Sequence, residues 1–335
     1  MISTRKAQHL NIVLEGRGAG DGRTGLDAVR FRHVALPELD WDAINLGATF
    51  LGRRIALPFL VSSMTGGTGQ AATINRNLSL ACEALKIPLA VGSQRVALEG
   101  GEAGGLDAGL RALAPSVPIL ANFGAAQLAH GYGTDHARRA MDQIGADAVI
   151  VHLNPLQEAL QPEGDRDWRG LLDRIGELAR DVPVIVKEVG AGISGDVARA
   201  LADRGVVAID VAGAGGTSWA MVEGERAATP RQRAVAMAFA DWGIPTADAI
   251  AEVRAACPDA TVIGSGGVRD GLDAARAIRL GADMVGFAAA ILPAATQSPE
   301  AVAEVFGTFA DQLRTACFCT ASPDLAALRK AALLP

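Results

Sequence analysis

Eight short apolar runs recur along the chain, and nearly every one closes on glycine or on a polar side chain. They are IALPFLVSSM (55–64), IPLAVGS (87–93), VPILANFG (117–124), DAVIVHLN (147–154), VPVIVKEV (182–189), VVAIDVAG (206–213), TVIGSGGV (261–268) and DMVGFAAA (283–290). The segments between them have helical periodicity and are long enough to return the chain for another parallel strand. Eight such units predict a mixed α/β chain folded as a (β/α)8 TIM barrel. In that fold the loops after the strands build the active site, so the residues ending the runs form a site list before any motif is considered.

A bare barrel needs roughly 250 residues, and the chain has 335. The excess falls in an N-terminal extension (1–54), a connection between the sixth and seventh strands, and a tail (316–335). That leaves 55–315 as the barrel of a single domain. EGRGAGDGRTG (15–25) reads as a mobile loop, and 217–246 as a loop that turns helical after Pro230. Either is placed to cover a ligand.

Half the residues are hydrophobic and the net charge is −6, which suits an enzyme with a large core and offers no basic block to nucleic acid. MISTRKAQHL lacks the apolar stretch of an export signal, and MVGFAAAILPAA is too short to span a bilayer. A cytoplasmic protein without membrane partners is expected. Cys82, Cys257, Cys317 and Cys319 form no disulfide or zinc framework and read as reduced residues of the core.

Two run ends lead into glycine-rich turns, AGAGGTSW (212–219) and GSGGVRDG (264–271). Glycine lets backbone approach an anion closely, and N–H groups at a helix start point at it. Two such turns beside the last strands match the usual phosphate site of a barrel, with Arg269 adding charge and Ala288 and Ala289 leaving room. Lys187 and Glu188 end the fifth run. Adjacent strand residues point to opposite faces, and the pattern leaves open which of the two faces inward. A lysine beside a phosphate cradle either forms a Schiff base with a carbonyl or stabilises negative charge on a cofactor ring.

His152, Asn154, Gln157 and Glu158 crowd the loop after the fourth run. Glu158 suits Mg2+, which takes one or two carboxylates plus substrate phosphates, while Gln157 and Asn154 suit orientation of a ligand. Arg95, at the end of SQR (93–95), carries the planar fork that grips phosphate. Arg5 and Lys6 would act only if the N-terminal arm folds across a barrel mouth, its own or a neighbour's.

TRKAQHL, SSMTGGT, VGSQR, ANFGA, HLNPLQEALQPEGDRDW, PVIVKEVGAGIS, DVAGAGGTSW, WGIPTA and SGGVRDGLDAARAIRLGAD follow one another along nearly the whole chain. Their order resembles that of the type 2 isopentenyl diphosphate isomerases, and NPLQE, QPEGDRDW and VGSQR are not shared by barrels in general. The resemblance implies FMN held by Ser63, Met64, Thr65, Ser93, Asn122, Lys187 and Thr217. Its phosphate would lie on Gly267, Val268 and Arg269 with Ala288 and Ala289. The substrate diphosphate would be met by Arg5, Lys6, Ser93, Gln94, Arg95 and Gln157, with Glu158 holding Mg2+ and His152 and Asn154 lining the pocket.

The implied reaction converts isopentenyl diphosphate to dimethylallyl diphosphate by a 1,3-allylic proton shift. It has no net redox change, so the reduced flavin would act as acid/base catalyst, with NADPH needed only to reduce it and Gln157, His152 and Lys187 as the catalytic side chains. A homotetramer or larger assembly is implied as well. The chain departs from the family's pattern at Ala7 and Gln8, where acidic residues are usual, in the glycine-rich loop, and at Ala321, where glycine is common.

The alternative is an FMN-dependent barrel oxidoreductase of the 2-hydroxy acid type. Such enzymes resemble this chain in the phosphate cradle and the strand-end lysine, but need a histidine base in a late loop, and no histidine follows His152. A non-catalytic flavin-binding barrel would have lost Arg95, Gln157 and Glu158, and all three are present.

Overall fold

Every apolar run becomes a parallel strand. The structure, a computed structural model, describes residues 2–20, 22–64, 69–101 and 103–335, with the side chains of residues 2–7 outside the description. Strands β1 (Ala48–Phe50) and β2 (Arg53–Ile55) form an antiparallel hairpin. The barrel follows as β3 (Phe59–Val61), β4 (Leu89–Ala90), β5 (Ile119–Gly124), β6 (Ala148–Leu153), β7 (Val184–Glu188), β8 (Ala208–Asp210), β9 (Thr261–Gly264) and β10 (Met284–Phe287). Neighbours in sequence are neighbours in the sheet, and β10 closes on β3. Return helices follow each strand; the last of them, Pro299–Cys319, runs past the expected barrel boundary at residue 315.

These runs are apolar throughout because both faces of each strand are covered. Leu60, Ala90, Leu120, Ile150, Ile185, Ile263 and Met284 fill the barrel interior. Residues of the other parity, such as Phe59, Leu89, Val149, Val151, Val184 and Val186, pack outward in the cluster that includes the helices. Phe50 and Ile55 of the hairpin join the interior cluster, so the hairpin plugs the end of the barrel where the strands begin. That hairpin is not legible in the apolar pattern, because each of its strands buries a single residue.

The glycine-rich loop expected to be mobile is built into the fold. Ala19 bridges to Thr217, Ser218 N donates to Gly18 O at 2.8 Å, and Ala247 N donates to Thr24 O at 2.8 Å. The extension and the tail also fasten to each other through Arg32 N to Ala332 O and Leu334 N to Arg30 O. Cys82, Cys257 and Cys317 are buried as free thiols. No helix among the described residues is long and apolar enough to cross a membrane.

Ala321, where the resemblance leads one to expect glycine, sits in a left-handed turn. It follows the helix Pro299–Cys319 with φ +52°, while Ser322 N donates to Cys317 O at 2.8 Å and Ala321 N to Phe318 O at 3.1 Å. This is a Schellman C-cap carrying alanine in the left-handed position that suits glycine. Ala321→Gly is therefore expected to stabilise the protein by about 1 kcal/mol, read as a raised midpoint in urea unfolding.

Candidate active site

The alternation that turns Leu60, Leu120, Ile150 and Ile185 inward also turns inward Ser62, Asn122, His152 and Lys187, two residues further along each strand. An apolar storey closed by the hairpin thus carries a polar one at the strand ends. Register sets Gly124 beside His152, His152 beside Lys187 and Lys187 beside Asp210. His152 Nδ1 donates to Asn122 Oδ1 (2.9 Å), and Asn122 Nδ2 donates to Ser63 Oγ (2.9 Å). The buried Lys187 Nζ donates to Glu188 O at 2.7 Å and lies 3.8 Å from Asp210 Oδ2. Ser265 Oγ donates to Asp210 Oδ1 at 2.5 Å.

This register settles what the local pattern left open: Lys187 faces the cavity and Glu188 faces away. The Glu188 carboxylate accepts from the N–H groups of Val189, Gly190 and Ala191 at 2.6, 2.6 and 2.5 Å. Burial pushes its carboxyl up, against these three donors, which favour the charged form. Glu188 thereby rigidifies the turn that presents Lys187.

Above the polar storey opens a cavity of about 300 Å3, within the range of small-molecule sites. Among the expected residues it is lined by Ser63, Met64, Ser93, Arg95, Asn122, His152, Asn154, Gln157, Glu158, Lys187, Thr217, Gly267, Val268, Ala288 and Ala289. Two others stand elsewhere. Gln94 is fully buried, its amide donating to Ala140 O and accepting from Asn122 N, so its side chain lies in the barrel wall and off the cavity lining. Arg269 turns to Asp273, 3.1 Å away, because that buried carboxylate draws in both Arg269 and Arg276. Thr65 lies outside the described residues, as do the side chains of Arg5 and Lys6.

One side of the cavity is a wall of glycine. A Cβ on Gly216 would stand 2.6 Å from Gly267 N, and one on Gly267 would stand 2.4 Å from Gly215 O. Gly266 and Gly267 also have φ of +102° and +65°. The loops after β8 and β9 press together as only glycine allows, and they leave backbone along the cavity. Beside them Ser62 Oγ is buried without a hydrogen-bond partner among the described residues. A cradle of this shape and an unsatisfied hydroxyl on the floor fit a phosphorylated flavin.

Several cavity residues lie away from the strand ends. The N-terminal helix Ile2–Leu14 brings His9, Leu10 and Val13 over the mouth of its own barrel. The start of the 217–246 connection, expected as loop, is the helix Trp219–Glu225, capped by Ser218. Pro230 does open a second helix, with Thr229 and Gln232 forming its capping box. Trp219 lines the cavity, with its Nε1 on Val189 O (2.9 Å) and its ring against His9 at 5.1 Å. Glu223 is the hub of this wall. It accepts from Gln157 Nε2 (3.0 Å), Gln161 Nε2 (2.8 Å) and Arg226 Nη1 (2.5 Å), and His9 Nε2 stands 3.2 Å away. Ser218 before an apolar turn was the only signal in the sequence for that helix, and nothing in it marked Glu223.

Burial alone would raise the Glu223 carboxyl, but the hydrogen bonds from His9 and Gln157 and the charges of His9 and Arg226 outweigh it and hold the group down to about 2. A carboxyl depressed on folding contributes stability that is complete above its ordinary range near 4.5 and is lost as pH falls towards 2. Glu223→Gln should flatten the acid side of the stability curve between those limits, as followed by Trp fluorescence in urea titrations at several pH values.

Comparison with known proteins decides the family. The FMN-dependent dehydrogenase family matches residues 155–335. An isopentenyl-diphosphate delta-isomerase of Xanthobacter autotrophicus is 61% identical over 332 residues, 98% of this chain and 96% of that protein. The chain belongs to the type 2 isopentenyl-diphosphate delta-isomerases. Bearers of that same name from Stutzerimonas stutzeri and Pseudescherichia vulneris are 59% and 58% identical, over 99% and 98% of this chain and 97% and 95% of theirs. Among solved structures, a mandelate oxidase with an FMN adduct superposes with TM-score 0.67 at 17% identity, over 96% of this chain and 95% of that one. A Pediococcus acidilactici protein described as a lactate oxidase gives 0.70 at 16%, over 99% and 93%. Those two share the fold alone, whereas the delta-isomerases share this chain's sequence over 98–99% of its length.

Proposed function

We propose that the chain interconverts isopentenyl and dimethylallyl diphosphate in the cavity at the strand ends. The carrying observation is that the glycine cradle, Lys187, Gln157, Glu158 and Arg95 all open onto one cavity. Ser63, Met64, Ser93, Asn122, Lys187 and Thr217 would hold the flavin ring, and Gly267, Val268, Ala288 and Ala289 its phosphate. Reduced FMN would supply the group that gives and takes the proton without net redox change, NADPH serving as its reductant.

The chain's own part is binding, orientation and exclusion of water. Lys187 sets a fixed positive charge on the cavity floor, where a low dielectric strengthens it. Gln157 is clamped at both ends, by Asn154 Nδ2 on its oxygen (3.2 Å) and by Glu223 under its nitrogen, so its amide is presented in one orientation. Leu10, Val13 and Trp219 supply the apolar wall for a short prenyl group. Arg95 is paired with Glu99 at 2.9 Å on its own helical turn, and would exchange that partner for a diphosphate, joined by Ser93 and by Arg5 and Lys6 of the overlying helix.

No group of three His, Cys, Asp or Glu among the described residues would hold a metal by itself. Glu158 stands alone at the cavity edge, its oxygens accepting from Asn154 Nδ2 (2.8 Å) and Asp165 N (2.8 Å). One carboxylate fits Mg2+ shared with a substrate diphosphate. A cytoplasmic homotetramer or larger assembly completes this reading.

The test is anaerobic proton NMR of isopentenyl diphosphate in D2O with FMN, Mg2+ and NADPH. Deuterated dimethylallyl diphosphate should appear, and should not when the flavin is kept oxidised or the metal is chelated. No conversion with reduced FMN bound would end this reading.

A further inference from the structure

The WGIPTA segment (242–247) contributes nothing to the cavity wall beyond backbone support, yet its Thr246 occupies a decisive place behind it. Thr246 opens the helix Thr246–Ala256 and is fully buried. Its Oγ1 lies 2.6 Å from Gly266 O, with Ala214 O at 3.2 Å and Ser265 O at 3.4 Å. One hydroxyl has one proton to give. Ala214 O already accepts from Thr246 N, and Ser265 O from Gly213 N. Gly266 O receives no other hydrogen bond among the described residues, so it is the natural acceptor.

Gly266 O and Gly267 N–H belong to one planar trans peptide and point in opposite directions. Holding the carbonyl back against Thr246 therefore turns the Gly267 N–H away from Thr246. Gly266, Gly267 and Val268 line the cavity, and the N–H groups of Gly267 and Val268 make no hydrogen bond to another described residue. Both glycines sit at positive φ, where no side chain limits rotation of that peptide. Something outside the loop must set its plane.

We propose that Thr246 is a positioning residue for the phosphate of the flavin. It touches no ligand; through Gly266 O it orients the Gly267 peptide, and with it the donors that receive the anion. This rests on the reading above that the phosphate lies on the loops after β8 and β9.

The test titrates apo-protein with FMN and with riboflavin, which lacks the phosphate. Thr246→Val keeps the side chain's shape and removes the donor. One lost hydrogen bond to a partly buried carbonyl corresponds to about tenfold weaker FMN binding, with riboflavin binding changed by less than about twofold. Thr246→Ser, which keeps the hydroxyl, should restore FMN affinity. Equal losses for both ligands, or none for FMN, would overturn the proposal. If Thr246→Val does not fold, Thr246→Ala carries the same comparison; should both fail to fold while Thr246→Ser folds, the hydroxyl is a general fold requirement and the proposal also falls. A parent protein that binds riboflavin as tightly as FMN would instead sink the underlying phosphate assignment.

Discussion

Lys187→Met is expected to lower turnover of the reduced enzyme by a factor of about 10²–10³, the usual effect of removing one preorganised charge from a water-excluded site. Methionine keeps the length and volume of the stem, so the cavity shape survives and FMN should still bind. The ammonium is buried between Glu188 O and Asp210, whose second carboxylate oxygen has no hydrogen-bond donor among the described residues. Removing it strands a buried carboxylate, which costs about 3 kcal/mol of stability. Asp210→Asn in the same chain should recover most of that stability and none of the turnover. Separate measurement of kcat with bound reduced flavin and of the urea midpoint distinguishes the two effects. Turnover that returns together with stability would show that Lys187 matters only as the partner of Asp210.

Gly267→Val should yield protein without flavin. Its Cβ would stand 2.4 Å from Gly215 O and 2.6 Å from Thr24 Cγ2, at a φ of +65° that valine avoids. The Thr24 methyl ends a short, β-branched and buried side chain with little freedom to turn aside. Gly215 O is backbone of the facing loop and Thr24 belongs to the N-terminal segment packed behind it, so the cradle has nowhere to move. The measurement is the flavin-to-protein ratio after saturation with FMN. Gly307, in the helix Pro299–Cys319, has open space where a Cβ would go. Gly307→Ala should leave that ratio unchanged and raise stability by about 1 kcal/mol. Full flavin content in Gly267→Val would mean that the phosphate does not use this loop.

The barrel is legible in the amino-acid pattern, because each of its strands is buried on both faces and so appears as a continuous apolar run bounded by turn residues. That pattern also exposes the strand ends as a group, since polar and glycine residues break those runs where the chain leaves the sheet. Which strand-end side chains share the cavity depends on how the strands pair around the closed barrel. Lys187 and Glu188 differ by one position, and only the register with His152 and Asp210 makes the lysine the inward member. Gln94 and Arg269 occupy promising positions, but nearby backbone groups in one case and Asp273 in the other engage them first. Glu223, Trp219 and His9 lie on helices remote in sequence from the strand ends they meet, and the hairpin plug buries too few residues to leave a periodic trace. Local periodicity records which face of an element is covered; which partner covers it is set by long-range packing that no short window of sequence contains.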